Sequence, residues 1–301
     1  MQDHILITGG SGFIGQALVD DWLAQGHQVT VLSRRPGWVE RRWQGRVAAT
    51  DDVHTLRDHF SVLVNLAGEG IADQRWSQQR KRQLYESRVD LTRELVSWAQ
   101  DSGQCFRVVL SGSAIGWYGG FDGSDSQPLS EQAPGGQDYA AQLCQDWELA
   151  AADLASMSER LVILRTGIVL GRHGGMLKRL WLPFRIGLGG IIGDGEQVLS
   201  WIHLSDYRKA VHWLLGSEIE GPVNMTAPMP VSNREFTESL AAAMKRPALM
   251  PMPALIARIL FGEMSCLLLQ GQWVVPGVLQ SHQFQFDYPD IQAALAIEAG
   301  R

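Results

Sequence analysis

Cysteine is scarce in this chain. Three are present among 301 residues, Cys105, Cys144 and Cys266, too far apart for a disulfide framework or a zinc cluster, so no metal is expected. Long apolar runs are also missing: the most apolar late stretch, residues 250–261, is interrupted by Pro251, Pro253 and Arg258. No membrane span follows from it, nothing reads as a signal peptide, and the cytoplasm is the expected compartment. Positive charge is not in excess either. Lys and Arg number 26 against 32 Asp and Glu, a net charge of −6, and the basic residues form only short clusters, which argues against a nucleic-acid partner. Repeats, low-complexity tracts and long linkers are absent. What remains, 45% hydrophobic and 19% charged residues, describes a globular protein of one large or two modest domains.

The informative stretch is His4-Ile5-Leu6-Ile7-Thr8-Gly9-Gly10-Ser11-Gly12-Phe13-Ile14-Gly15. An apolar strand runs into three spaced glycines, and an amphipathic helix starts within the turn. Gly9 allows the tight turn, Gly12 allows backbone to approach a pyrophosphate, and Gly15 lets the helix lie close to the sheet. Gly10, Ser11, Phe13 and Ile14 complete the loop, whose free amides and helix dipole suit a dinucleotide. Strand and helix signals then alternate. Strands are expected at residues 5–8, 28–33, 46–50, 62–65, 107–111 and 161–165, and helices at 14–25, 53–59, 77–100 and 139–155. That alternation predicts an α/β, Rossmann-type, doubly wound parallel sheet. After residue 165 the chain becomes rich in Gly and Pro, predicting a smaller C-terminal substrate lobe. Residues 1–165 are thus expected to bind NADP and 166–301 mainly the substrate, with parts of 205–245 packing back on the first domain. Amphipathic helices are expected at 237–244 and 291–299, with a short strand at 283–287.

The second strand ends in Ser33-Arg34-Arg35, where an NAD site would carry an Asp or Glu for the ribose hydroxyls. A hydroxyl beside two guanidiniums favours a 2′-phosphate, so NADP(H) is preferred and NAD(H) possible. Asp51 and Asp52 suit either the adenine amino group or a helix cap. The fourth strand ends in Leu66-Ala67-Gly68, small enough to line the nucleotide.

Taken together, Thr8 to Gly15, Asn65-Leu66-Ala67-Gly68, Ser111 to Gly119 and Trp201-Ile202-His203-Leu204-Ser205-Asp206 resemble the extended short-chain dehydrogenase/reductase superfamily. Arg75-Trp76, Ser87-Arg88 with Thr92, Pro183 to Gly190, and Pro251, Pro253, Gly262-Glu263, Gln272 and Pro276 bring the chain closer to an atypical branch. That branch is the epimerase family, NAD-dependent epimerase/dehydratase family proteins with a characteristic C-terminal extension, here about 247–301. The resemblance implies a small hydroxyl, carbonyl or sugar-nucleotide substrate and a monomer or homodimer. It also implies a catalytic Ser at Ser113, with Ser111 bracing the loop beside the cofactor. A Tyr-x-x-x-Lys pair should follow. Tyr139 has Leu143 four residues on, whereas a register set by Glu148 puts Ala140 and Cys144 in the pair; in both cases the lysine is missing. A tyrosine with an unshifted pKa of about 10 is ionised to roughly one part in a thousand at pH 7. Arg88 is the candidate substitute cation and cofactor contact, and Tyr118, near the expected mouth, is a reserve acid/base. Ile168 and Val169 are expected by the nicotinamide, and Arg185, Trp201 and His203 on the substrate side. His203 is also suited to a structural pair with Asp206. The missing pair keeps a second possibility open, an NADP(H)-binding sensor that has lost catalysis.

Overall fold

A computed structural model describes residues 2–122 and 127–300. Seven strands form one parallel sheet in the order β10-β6-β5-β4-β1-β2-β3. Its first half comprises β1 (His4–Thr8), α1 (Phe13–Ala24), β2 (Gln28–Leu32), α2 (Pro36–Arg42), β3 (Ala48–Thr50) and β4 (Val62–Asn65). Next come α3 (Gln78–Tyr85), α4 (Leu91–Asp101), β5 (Val108–Ala114), α5 (Tyr139–Ala151) and β6 (Leu161–Thr166). Strand order reverses beside β1, where β4 pairs on one side and β2 on the other, so the crevice of the doubly wound sheet opens above the glycine turn.

The second half begins with β7 (Ile168–Leu170), α6 (Gly175–Arg185), β8 (Val198–Leu199), β9 (Trp201–His203) and α7 (Leu204–Leu215). It continues through β10 (Gly221–Met225), β11 (Val231–Ser232), α8 (Asn233–Met244) and α9 (Ala254–Phe261), then α10 (Cys266–Leu269), α11 (Gly277–Ser281) and α12 (Ile291–Gly300). β10 pairs with β6 as the seventh strand, and Tyr207, Val211 and Leu214 of α7 are buried in one apolar cluster with side chains of α1 and the sheet. A separate apolar cluster under α8 and α12 holds Leu177, Phe184, Trp201, Phe236 and Leu295.

Three expected elements differ. The helix expected at 53–59 is one 3-10 turn, Val53–Thr55, because the Asp52 carboxylate accepts from the His54 amide and Leu56 is already extended. The strand expected at 283–287 has no strand beside it among the described residues. Gln283 is left-handed at φ 59°, and the Asp206 carboxylate accepts from the amides of Asp287 and Tyr288. The helix expected over 77–100 is broken by a π-helical segment, Glu86–Asp90, between α3 and α4. The short helix α2, opened by Pro36, has no counterpart among the expected elements.

Candidate active site

The glycine turn forms where β1 meets α1. Gly9 has φ 70°, and a Cβ there would come within 2.6 Å of the Leu66 carbonyl oxygen. A Cβ on Gly15 would run into the carbonyl oxygen of Gly9, so both positions admit only glycine. Gly12 caps α1 with no side-chain hydrogen bond, and the first turn carries no acidic residue. Free amides and the positive helix end therefore face the crevice unopposed, a fit to phosphate that rests on backbone alone. Gly10 packs on Val31, and Ile14 packs against the sheet. The Phe13 ring lies on the loop after β7, where a Cβ at Gly171 would come within 2.7 Å of it.

Beside the turn, the Ser33 and Ser11 hydroxyls lie 3.4 Å apart, and the Ser33 Oγ accepts from the Arg35 amide at 3.2 Å. Arg35 is exposed, 5.6 Å above the Trp38 ring. Arg34 is 88% exposed and donates to Glu69 at 2.6 Å. The Arg34 hydrogen bond holds the Glu69 carboxyl below its ordinary range, with the buried Arg80 as its second partner.

Below the nucleotide crevice a buried polar chain joins four elements. Thr8 Oγ1 donates to Asn65 at 2.7 Å and accepts from the Ala67 amide at 3.0 Å. Asn65 Nδ2 and Trp147 Nε1 both donate to Thr92 Oγ1, at 2.8 and 3.1 Å, and Thr92 donates to the Arg88 carbonyl at 2.6 Å. Leu66, Ala67 and Gly68 are thereby fixed in place. Arg88 is not on the surface: its guanidinium donates to the carbonyls of Glu69 (2.8 Å) and Leu84 (3.3 Å) and lies 5.3 Å from the Trp147 ring. Gly68 rests directly on it, with room for no side chain. Burial lowers the Arg88 pKa from its ordinary value.

Ser113, at the end of β5, donates to Glu148 Oε1 at 2.6 Å. Arg165 grips the same carboxylate through Nε and Nη2, both at 2.9 Å, and its guanidinium lies 3.9 Å from the Trp117 ring centre. Ser111, expected to brace the loop, makes no hydrogen bond: its Oγ is buried without a partner among the described residues.

The two possible Tyr/Lys registers separate in space. Ala140 and Cys144 face inward, and a Cβ on Gly116 would meet both at 3.5 Å. Burial pushes the Cys144 thiol up to about 12, so it is neutral. Tyr139 turns the other way. Its hydroxyl donates to the Lys81 carbonyl at 3.2 Å, its ring packs on Trp76, and burial raises its pKa. Tyr118 is not at a mouth; it is 2% exposed, donating to Asn224 at 2.7 Å and accepting from Arg165 at 3.2 Å. Burial raises its pKa as well.

Ile168 and Val169 lie on β7, paired with Trp201 and Ile202 of β9. Arg185 is exposed at the end of α6, whereas Trp201 and His203 are both 1% exposed, so these residues do not share one open surface. Trp201 donates to the Met229 carbonyl at 3.0 Å. His203 pairs with Glu298 at 3.0 Å and not with Asp206, because its Nδ1 accepts from the Ser205 amide and its Nε2 points to α12. Glu69, Arg165 and Glu298 are the site-supporting residues given no role by sequence reading. Only Glu148 carried a local signal, its spacing after the expected lysine position. Among the described residues no group of three or more His, Cys, Asp or Glu is placed to hold a metal.

Comparison with known proteins shows the family and the fold. Residues 5–225 match the model of the NAD dependent epimerase/dehydratase family, and residues 252–297 match a domain of unknown function (DUF1731). The mouse epimerase family protein SDR39U1 is 35% identical over 297 residues, covering 97% of this chain and 98% of the relative. The epimerase family protein MT2273 of Mycobacterium tuberculosis is 36% identical over 300 residues, covering 99% and 98%. The crystal structure of human SDR39U1 (isoform 2) with NADPH superposes with a TM-score of 0.90 at 32% identity, covering 99% of each chain. A nucleoside-diphosphate sugar epimerase from Corynebacterium glutamicum superposes with a TM-score of 0.77 at 31% identity, over all of this chain and 59% of that one.

Proposed function

The chain belongs to the NAD dependent epimerase/dehydratase family, and from that premise we propose that it is an NADP(H)-dependent oxidoreductase or epimerase-like enzyme. Its substrate is a small hydroxyl or carbonyl compound or a sugar nucleotide. The observation that carries the reading is the N-terminus of α1, uncapped by any side chain above Gly9 and Gly12, with the Ser11 and Ser33 hydroxyls beside it. Gly9 to Gly15 hold the pyrophosphate; Ser33, Arg34 and Arg35 hold the 2′-phosphate; Leu66 to Gly68 line the ring side, braced by Arg88. NADPH bound to the human relative of the same fold supports the cofactor choice.

When bound, the nicotinamide supplies or accepts hydride. Ser113 directs its own proton to Glu148, so the lone pairs of its oxygen are left to accept from a substrate hydroxyl. Glu148, clamped by Arg165, positions Ser113. Tyr139 and Tyr118 both use their hydroxyls elsewhere and both have raised pKa values, so a substrate-bound water takes the hydroxyl proton when the substrate is oxidised and gives one to the oxygen when it is reduced.

Tryptophan fluorescence titration with NADPH and NADH tests the cofactor, and tighter NADH binding refutes the assignment. A carbonyl panel followed through NADPH absorbance tests the chemistry. Ser113→Ala abolishes turnover with NADPH affinity unchanged, and Ser113→Thr restores part of it. The commitment of the Tyr139 hydroxyl to the Lys81 carbonyl favours a second reading, an NADP(H) sensor without turnover. Tight NADPH binding with no turnover across the panel selects it.

A further inference from the structure

α9 is turned against the usual amphipathic rule. Its one buried residue is Ala257, while Leu255 is 67%, Ile259 65% and Leu260 52% exposed. The chain just before it adds Leu249 at 73% and Met250 at 58%, and Leu188 at 55% lies on the strand-like segment alongside. The two segments are tied by backbone: the Met250 amide donates to the Gly189 carbonyl at 3.1 Å and the Met252 amide to the Ile191 carbonyl at 2.8 Å. Aliphatic surface of this extent is unfavourable in water unless something covers it.

The two segments that carry the patch hold charges of one sign, with Asp194 and Glu263 just beyond their ends. Residues 175–193 and 245–262 contain no Asp or Glu, in a chain with a net charge of −6. They do contain Lys178, Arg185, Lys245, Arg246 and Arg258, all exposed and in no ion pair among the described residues. Arg179 is the exception, paired with Asp73. Arg246 donates to the Arg185 carbonyl at 3.1 Å, which brings two of these cations to the same edge.

We propose that this face docks on an anionic lipid bilayer. Leu, Ile and Met side chains enter the boundary between headgroups and acyl chains, with α9 lying in the plane, and the basic rim meets the lipid phosphates. A second copy of the chain fits less well, since a face-to-face pair would bring unpaired cations against unpaired cations. Protein partners in general select aromatic anchors and few lysines, whereas the patch is aliphatic and Lys245 stands on the segment leading into α9. The lack of a membrane-spanning helix, among the described residues as in the sequence, leaves this mode open because surface adsorption needs none.

Co-sedimentation of the full chain with large vesicles tests the proposal, comparing phosphatidylcholine alone with phosphatidylcholine containing phosphatidylglycerol. Binding to the anionic vesicles at low salt is expected, at least about tenfold stronger than to phosphatidylcholine alone and weakened by added salt. Leu255→Glu with Ile259→Glu, and separately Lys245→Gln with Arg246→Gln and Arg258→Gln, each lower partitioning about tenfold, whereas Leu149→Glu, at a 73% exposed position of α5, leaves it unchanged. Circular dichroism and NADPH titration verify that the variants fold. No sedimentation with anionic vesicles at low salt, equal partitioning into both compositions, or variants matching the parent overturns the proposal. So does self-association by light scattering that Leu255→Glu with Ile259→Glu reverses, which assigns the face to a second copy.

Discussion

Glu69 occupies a cation that the proposed cofactor site would use. Its carboxylate holds Arg34 at 2.6 Å, the same guanidinium that would meet a 2′-phosphate. Glu69→Gln releases Arg34 and removes a repulsive charge, so NADPH affinity rises about threefold while NADH affinity changes less; titration of both cofactors checks this. Cysteine chemistry is decided at the same scale. Cys105 is exposed, whereas Cys144 is buried with its thiol pushed up to about 12. At pH 8 roughly one Cys144 in ten thousand is a thiolate. Iodoacetamide labelling followed by peptide mapping therefore modifies Cys105 quickly and Cys144 only after unfolding; native labelling of Cys144 contradicts its placement.

The element that departs most from a regular pattern is the π segment between α3 and α4. A sequence of good helix formers over residues 77–100 predicts one helix, and the extra residue per turn appears only when tertiary contacts compensate for it. Here the segment carries Ser87, which accepts from the Glu69 amide at 3.0 Å, and Arg88, which donates to the Glu69 carbonyl at 2.8 Å. One irregular turn thus grips the loop after β4 from both sides. Arg88→Ala releases that loop and lowers NADPH affinity about tenfold in a fluorescence titration. Arg88→Lys fails to restore it, because an ammonium lacks the fork that spans the Glu69 and Leu84 carbonyls. An unchanged affinity removes Arg88 from the cofactor site.

Across the whole molecule, α12 is joined to the separate β7–β9 pair through one buried carboxylate, beside the apolar cluster it shares with α8. Glu298 of α12 reaches His203 at 3.0 Å on one side and the Arg172 amide at 2.6 Å on the other. Glu298→Ala leaves those buried donors without it and lowers stability by about 2–4 kcal/mol, read from urea unfolding, with earlier proteolysis at α12 than elsewhere. Loss of less than about 0.5 kcal/mol would mean that apolar packing alone holds α12.

Local patterning by itself determined the sheet and the nucleotide turn. Apolar runs at residues 5–8 and 62–65, and three glycines spaced within seven residues after the first run, are short-range signals, so β1 and β4 were legible within a residue of their observed ends. The absence of a lysine four residues after Tyr139 was legible too. Which face of α5 turns inward was not, because a one-residue shift on a helix rotates a side chain by about 100° and only packing against β5 and α3 selects Ala140 and Cys144 over Tyr139. The partners of Ser113, Arg88 and His203 lie 35, 19 and 95 residues away in the chain. No periodicity carries information over such distances. The tertiary structure decided those pairings, since a buried polar group takes whichever partner the fold brings within hydrogen-bond reach.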